Sequence, residues 1–156
     1  MPGKIEARLA ELGITLPAAP APVANYVGWT RSGSLVVVSG QIPLRDGKLG
    51  FTGKVGVSVT PEVAMEACGL CFINVLAQLK AACDGDLDRV SRVLRLGGFI
   101  AAPAEFTAHP AVMNGASDLC VAVFGEAGRH ARSTIGVHSL PADACCEVEG
   151  MFEVRA

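Results

Sequence analysis

The sequence predicts an α+β domain, a mostly antiparallel sheet with two helices on one face, in the order β-β-α-β-α-β-β after a short N-terminal helix. Three observations carry that prediction. Two long segments, residues 60–83 and 109–128, place apolar side chains at helical spacing. Between and around them lie shorter runs rich in Val, Ile and Leu, of strand length. Eighteen glycines and nine prolines supply turns rather than the long uninterrupted helices of a bundle. Helices and strands with one apolar side each must bury those sides against one another, so a two-layer domain follows. Past residue 22 no linker divides the 156-residue chain, and a single domain, residues 1–156, is expected.

The elements follow in order. "KIEARLAELGITLP" sets Ile5, Leu9 and Leu12 at helical spacing, and Gly13 ends the run. "PAAPAP" reads as a stiff extended linker, which makes residues 1–22 an extension of the domain. "NYVGWTRSGSLVVVSGQIPL" reads as a hairpin turned at residues 31–34, with residues 35–38 apolar enough for burial on both faces. Residues 45–58 are glycine-rich and are expected to form an exposed loop.

Thr60 is placed to cap the first long helix, Pro61 suits its first position, and Glu62 suits its positive end. Met65, Cys68, Phe72, Leu76, Leu79 and Cys83 form its apolar stripe, and "DGD" stops it. "RVSRVLRLGGFIAA" reads as a strand with a bulge at Gly97 or Gly98. The second helix carries Val112, Ala116, Leu119 and Val123 beside Met113, Cys120 and Phe124, and Gly125 or Gly128 ends it. Two strands, 132–139 and 144–155, close the chain. In the second, Cys146, Val148, Phe152 and Val154 point one way and Glu147, Glu149 and Glu153 the other.

Composition narrows the function classes. Hydrophobic residues make up 51% of the chain and charged residues 18%, so part of the apolar surface is expected to be covered by other subunits. The net charge is −2 and no Lys/Arg-rich run exists, which argues against nucleic acid and against an anionic membrane. Apolar stretches are broken well short of a membrane span, and the first 16 residues do not resemble a secretory signal. A soluble, cytoplasmic protein is the expectation. The six cysteines sit in apolar patterns and read as reduced, buried thiols. "CGLC" at residues 68–71 has redox-motif spacing but falls mid-helix, and no second ligand pair at metal spacing supports zinc.

The chemistry concentrates in "RHARSTIGVHSLPADACCEVEG". If the Leu-Pro turn closes a simple hairpin centred between Ser139 and Leu140, Arg132 faces Glu147 and Thr134 faces Cys145, on the side opposite Val148 and Phe152. A cross-strand ion pair on a wet surface would account for that at about 0–1 kcal/mol. The small, nearly uncharged surroundings favour more: an Arg fork can clamp a carboxylate, and a nearby carboxylate can hold a water for attack. Ser39 and Ser133 have no evident His–carboxylate set beside them, so a serine hydrolase is not expected. His130 and His138 sit near the pair; His138 shares the parity of Arg132 and is a candidate proton carrier, with a surface strand-end role as the plainer reading.

The pattern Arg-Ser, strand, Leu-Pro, strand with Glu-x-Glu resembles the C-terminal signature of the Rid family, the reactive intermediate deaminases also described as L-PSP endoribonucleases. The run containing "SGQIP" is similar to the family's N-terminal strand pair. The likeness spans residues 25–154. It implies a chorismate-mutase-like fold, a homotrimer with clefts between subunits, and hydrolysis of enamines and imines such as 2-aminoacrylate to 2-keto acids and ammonia, with no metal or organic cofactor. By position, Arg132 would bind a small substrate's carboxylate and Glu147 would position or activate water. Tyr26, Gly40, Asn114 and Thr134 would line the cleft, some from the neighbouring subunit. Thr134 stands where well-known members often have Cys. The N-terminal helix, the 45–58 loop and His109-Pro110 also depart from the pattern. A trimer that binds a small carboxylate without turnover is the alternative reading, and a ribonuclease is disfavoured by the missing basic patch.

Overall fold

The computed structural model describes residues 1–22 and 24–156 of the chain. Helix α1 (Lys4–Glu11) comes first, then strands β1 (Trp29–Ser32) and β2 (Leu35–Gln41), a two-residue-stranded hairpin of β3 (Leu44–Arg45) and β4 (Lys48–Leu49), and helix α2 (Pro61–Ala82). Strand β5 (Val90–Ala101), helix α3 (His109–Phe124), strand β6 (Ala131–Val137) and strand β7 (Cys146–Val154) complete it. The main sheet runs β1-β2-β7-β5-β6. Every pair is antiparallel except β5 with β6, which is parallel across the α3 crossover.

Local signals explain most of the elements. Gly33 takes φ +61 in the β1–β2 turn, where a side chain would be strained. The Thr60 side chain accepts the Val63 N–H at 3.2 Å and caps α2 as predicted. Nothing local caps α1, so Asp88 does so from across the fold, accepting the Lys4 and Ile5 N–H groups at 2.8 Å each. Leu9 is buried, which ties the N-terminal extension into the core.

Helices α2 and α3 cover one sheet face. Val36, Val38, Val93, Leu96, Ile100, Val148 and Phe152 meet Phe72, Leu76, Leu79, Val112 and Met113 there. Helix α2 is long and apolar enough to cross a membrane, but 67% of its apolar window is buried inside this fold. The two helices cross closely at Gly115, where a Cβ would lie 2.7 Å from the Met65 carbonyl carbon.

Five expectations need correction. Strands β6 and β7 do not form a hairpin: β7 inserts between β2 and β5, and β6 takes the sheet edge. The inward residues of β7, Cys146, Val148, Gly150, Phe152 and Val154, are all buried, and a strand of that kind needs covered neighbours on both sides, which β7 obtains at the centre. Residues 35–38 are not buried on both faces, since Val37 is 37% exposed on the side away from the helices. The bulges of β5 fall at Val90/Arg92 and Val93/Arg95, not at its glycines, which hold regular register. The 45–58 segment is not a free loop. Val55 is fully buried, and Thr52 bridges Ala144. Met65, placed on the apolar stripe of α2, is 36% exposed.

Candidate functional site

Sheet register decides which side chains meet. Arg132 pairs with Leu96, Thr134 with Gly98 and Gly136 with Ile100, so these three β6 residues face the helices. Glu147 pairs with Phe99, one position out of phase, and faces the open side of the sheet. Within one chain Arg132 and Glu147 therefore lie on opposite faces. Thr134 faces Gly98 rather than Cys145, which is buried. The predicted residues separate into two groups.

The first group lines a groove between α3 and the edge strand β6. Arg132 Nη1 donates to Asn114 Oδ1 at 2.8 Å and to Ser117 Oγ at 3.1 Å, and Nη2 donates to the Pro110 carbonyl at 3.2 Å. Asn114 and Ser117 are three residues apart on α3, which puts both on the face toward β6. A guanidinium has five N–H donors. Three bonds to neutral acceptors fix its orientation and leave Nε and one Nη2 N–H without a protein partner among the described residues. No carboxylate pairs with Arg132 among them. Two residues along β6, Thr134 Oγ1 is shielded from solvent and has no hydrogen-bond partner among the described residues. A buried hydroxyl left unpaired costs about 1–3 kcal/mol, so an incoming polar group at this point would be favoured. At the far end of the groove, Phe106, His109, Gly136 and Val137 help to line a pocket of about 310 Å³. The His109 and Phe106 rings meet edge to face at 5.3 Å.

The second group lies on the open face. A Cβ on Gly40 would sit 2.9 Å from the Glu147 carboxyl carbon, so the absence of a side chain there is what leaves room for the carboxylate. Burial pushes the Glu147 carboxyl above its ordinary range, and the neighbouring Glu149 charge pushes in the same direction. A carboxylate held that way is a better proton acceptor than an exposed one. Tyr26 is 55% exposed on the segment leading into β1. His138 is exposed after β6 and offers its carbonyl to Lys54.

Sequence reasoning missed Ser117 and placed His130 near Arg132 without giving it a role. The Ser117 hydroxyl lies 2.9 Å from His130 Nε2, and His130 Nδ1 lies 2.7 Å from the Gly128 carbonyl oxygen. Their signal was present as a serine one helical turn after Asn114 and a histidine two residues before Arg132.

The fold also brings "CGLC" against "CC". Cys71 Sγ lies 3.7 Å from Cys146 Sγ, and Cys145 Sγ 3.8 Å from Cys146 Sγ. All six cysteines are free and buried. Burial pushes Cys71 up, and hydrogen bonding among Cys145, Cys68 and Cys71, with burial, pushes Cys146 up. Cys120 is pushed up to about 12 by burial. These thiols are core groups, and no cluster among the described residues could hold a metal ion.

The sequence profile of the family described as "YjgF/chorismate mutase-like, putative endoribonuclease" matches residues 6–154. The chain belongs to the YjgF/chorismate-mutase-like family. Protein TCP17 of Trypanosoma cruzi is 46% identical over 154 residues, covering 98% of this chain and 96% of that protein. Among solved structures, Atu1372 of Agrobacterium tumefaciens is 49% identical with TM-score 0.91, covering 97% of this chain and 94% of that one. A "putative endoribonuclease" of Shewanella oneidensis is 37% identical with TM-score 0.93, covering 97% and 100%.

Proposed function

We propose that this YjgF-family protein is a homotrimeric deaminase that hydrolyses reactive enamines and imines of the 2-aminoacrylate type to 2-keto acids and ammonia. The observation that carries the reading is Arg132: a guanidinium fixed by three neutral acceptors, with two N–H groups free and no carboxylate partner among the described residues. Such a fork suits a bidentate carboxylate. The class of substrate comes from the resemblance to the reactive intermediate deaminases.

The trimer supplies what one chain lacks. Arg132 and Glu147 point to opposite faces, so one substrate can meet both only where two copies adjoin. A head-to-tail contact repeated three times closes a ring and makes three equivalent clefts. The open sheet face carries Val37, Phe99, Ile135 and Met151, apolar groups that such a contact would cover.

In the cleft, Arg132 holds the carboxylate and the 2-imino carbon sits beyond it. The Glu147 carboxylate of the adjoining copy takes a proton from water, the hydroxide oxygen bonds to the imino carbon as the C=N π pair moves to nitrogen, and that nitrogen takes up the proton from Glu147. The C–N bond of the resulting amino alcohol breaks as the hydroxyl oxygen gives up its proton and the nitrogen receives one through Glu147, which releases ammonia and the keto acid. Proton transfer of this kind contributes about 10²–10⁴-fold. An enamine first becomes the imine by gaining a proton at carbon and losing one from nitrogen. No metal or organic cofactor takes part in this reading.

A second reading is a trimer that holds a small carboxylate without turnover, favoured by Thr134 with its unpaired hydroxyl in the groove. One experiment separates the two. A PLP-dependent dehydratase generates 2-aminoacrylate, and keto-acid release is followed with wild type, with Arg132→Ala and without added protein. Acceleration by wild type and none by a folded Arg132→Ala variant is expected. Full activity in Arg132→Ala would overturn the site, and no acceleration by wild type across several imine side chains would favour the binding reading.

A further inference from the structure

We propose that Ser117 and His130 form a hydrogen-bonded relay that positions Arg132 and couples carboxylate occupancy of Arg132 to the proton on His130. The proposal rests on Arg132 being a carboxylate anchor and adds what controls it.

Donor and acceptor logic fixes the direction of every bond. The Gly128 carbonyl can only accept, so the His130 nitrogen 2.7 Å away, Nδ1, carries the proton. In the neutral ring Nε2 is then an acceptor, and the Ser117 hydroxyl donates to it at 2.9 Å. That leaves a Ser117 lone pair facing the groove, where it accepts from Arg132 Nη1 at 3.1 Å. Asn114 accepts from the same nitrogen at 2.8 Å. Three consecutive bonds, Arg132 to Ser117 to His130 to Gly128, thus end on the backbone, which anchors the guanidinium against α3. No carboxylate stands behind His130 among its bonded partners, so the pair is a positioning device rather than an activated nucleophile.

Burial holds the His130 ring below its ordinary value of 6.5, and the Arg132 charge pushes the same way while the Gly128 bond opposes both. Arg132 is the charged group that bears on the ring. Arg129 pairs with Glu126, both largely exposed, Arg92 of β5 reaches the Arg129 carbonyl, and Asp118 of α3 is exposed. The ring is therefore neutral near pH 7. A carboxylate on Arg132 would offset the cation that His130 feels, and the His130 midpoint would rise. By reciprocity the same carboxylate binds more tightly as pH falls through that midpoint. Protonated Nε2 donates to Ser117 Oγ, which frees the Ser117 hydroxyl proton to turn toward the bound anion.

Imidazole ¹⁵N NMR on the full-length protein tests this, with 2-oxobutanoate as the probe. Neutral His130 is expected as the Nδ1–H tautomer, and the probe is expected to raise its midpoint in wild type. Ser117→Ala should weaken probe binding about three- to tenfold and shrink the shift. His130→Gln should bind the probe with affinity that no longer follows the wild-type change between about pH 5 and 8. If the probe binds, is lost in Arg132→Met, and yet leaves His130 unmoved, the relay is overturned while the anchor stands. If wild type and Arg132→Met bind the probe alike, or neither binds it, the anchor fails and takes the relay with it.

Discussion

Gly40→Ala separates the proposed chemistry from the fold at one atom. The new Cβ would lie 2.9 Å from the Glu147 carboxyl carbon and 3.2 Å from its Cγ. Carbon atoms rest at about 3.5–4.0 Å, so the carboxylate must retreat by roughly 1 Å. The obstacle is the far end of a flexible side chain, and the backbone at Gly40 does not require positive φ. The fold therefore adapts cheaply, with a stability change of about 1 kcal/mol or less. Catalysis does not adapt, since a 1 Å misplacement of a catalytic group can cost about 10²-fold. The assay is keto-acid release from generated 2-aminoacrylate, run beside thermal unfolding of the same preparation. A loss of about tenfold to a hundredfold in kcat with nearly unchanged Tm is expected. A variant with wild-type kcat would refute the assignment of Glu147 to the reacting water.

Other perturbations test other parts of the account. Gly115→Ala drives a methyl into the Met65 backbone, 2.7 Å from its carbonyl carbon, so α2 and α3 must separate; denaturant unfolding should show a loss of about 1–3 kcal/mol or more. Ile135→Lys places a charge on an open-face residue that is 51% exposed in one chain; sedimentation should find folded monomers, and an unchanged assembly state would speak against this face as the subunit contact. Glu149→Gln removes one of the two causes that raise the Glu147 carboxyl. Glu147 acts as a base when ionised, so the acid limb of the kcat–pH profile should move to lower pH. The stability sign agrees: with its folded pKa raised, Glu147 favours the fold most at low pH and that contribution is lost as pH rises.

Legibility in the sequence followed the range of the interactions. Thr60-Pro61, Gly33, and the Val148/Phe152 against Glu147/Glu149 alternation act within a few residues, and each placed its element correctly. Strand order does not act locally. The 138–145 connection looked like a hairpin turn, but it carries the chain from edge strand β6 past β5 to the central position of β7, with Ala142 and Asp143 at φ +57 and +60 along the way. The face shared by Arg132 and Glu147 failed with that hairpin, because parity along one strand says nothing about a partner two strands away. Arg132 itself remained a sound candidate. Its chemistry depends on Asn114 and Ser117, which only the parallel β5–α3–β6 crossover brings within reach.

The central claim is that each site combines Arg132 of one subunit with Glu147 of the next. Subunit mixing tests it directly. Arg132→Ala and Glu147→Gln proteins, each inactive alone, are unfolded together, refolded in equal amounts, and assayed for keto-acid release. Random head-to-tail trimers should pair an intact Arg132 with an intact Glu147 at about a quarter of their clefts, and about a quarter of wild-type activity should return. Mixed trimers that form and remain as inactive as either parent would contradict a site shared between subunits.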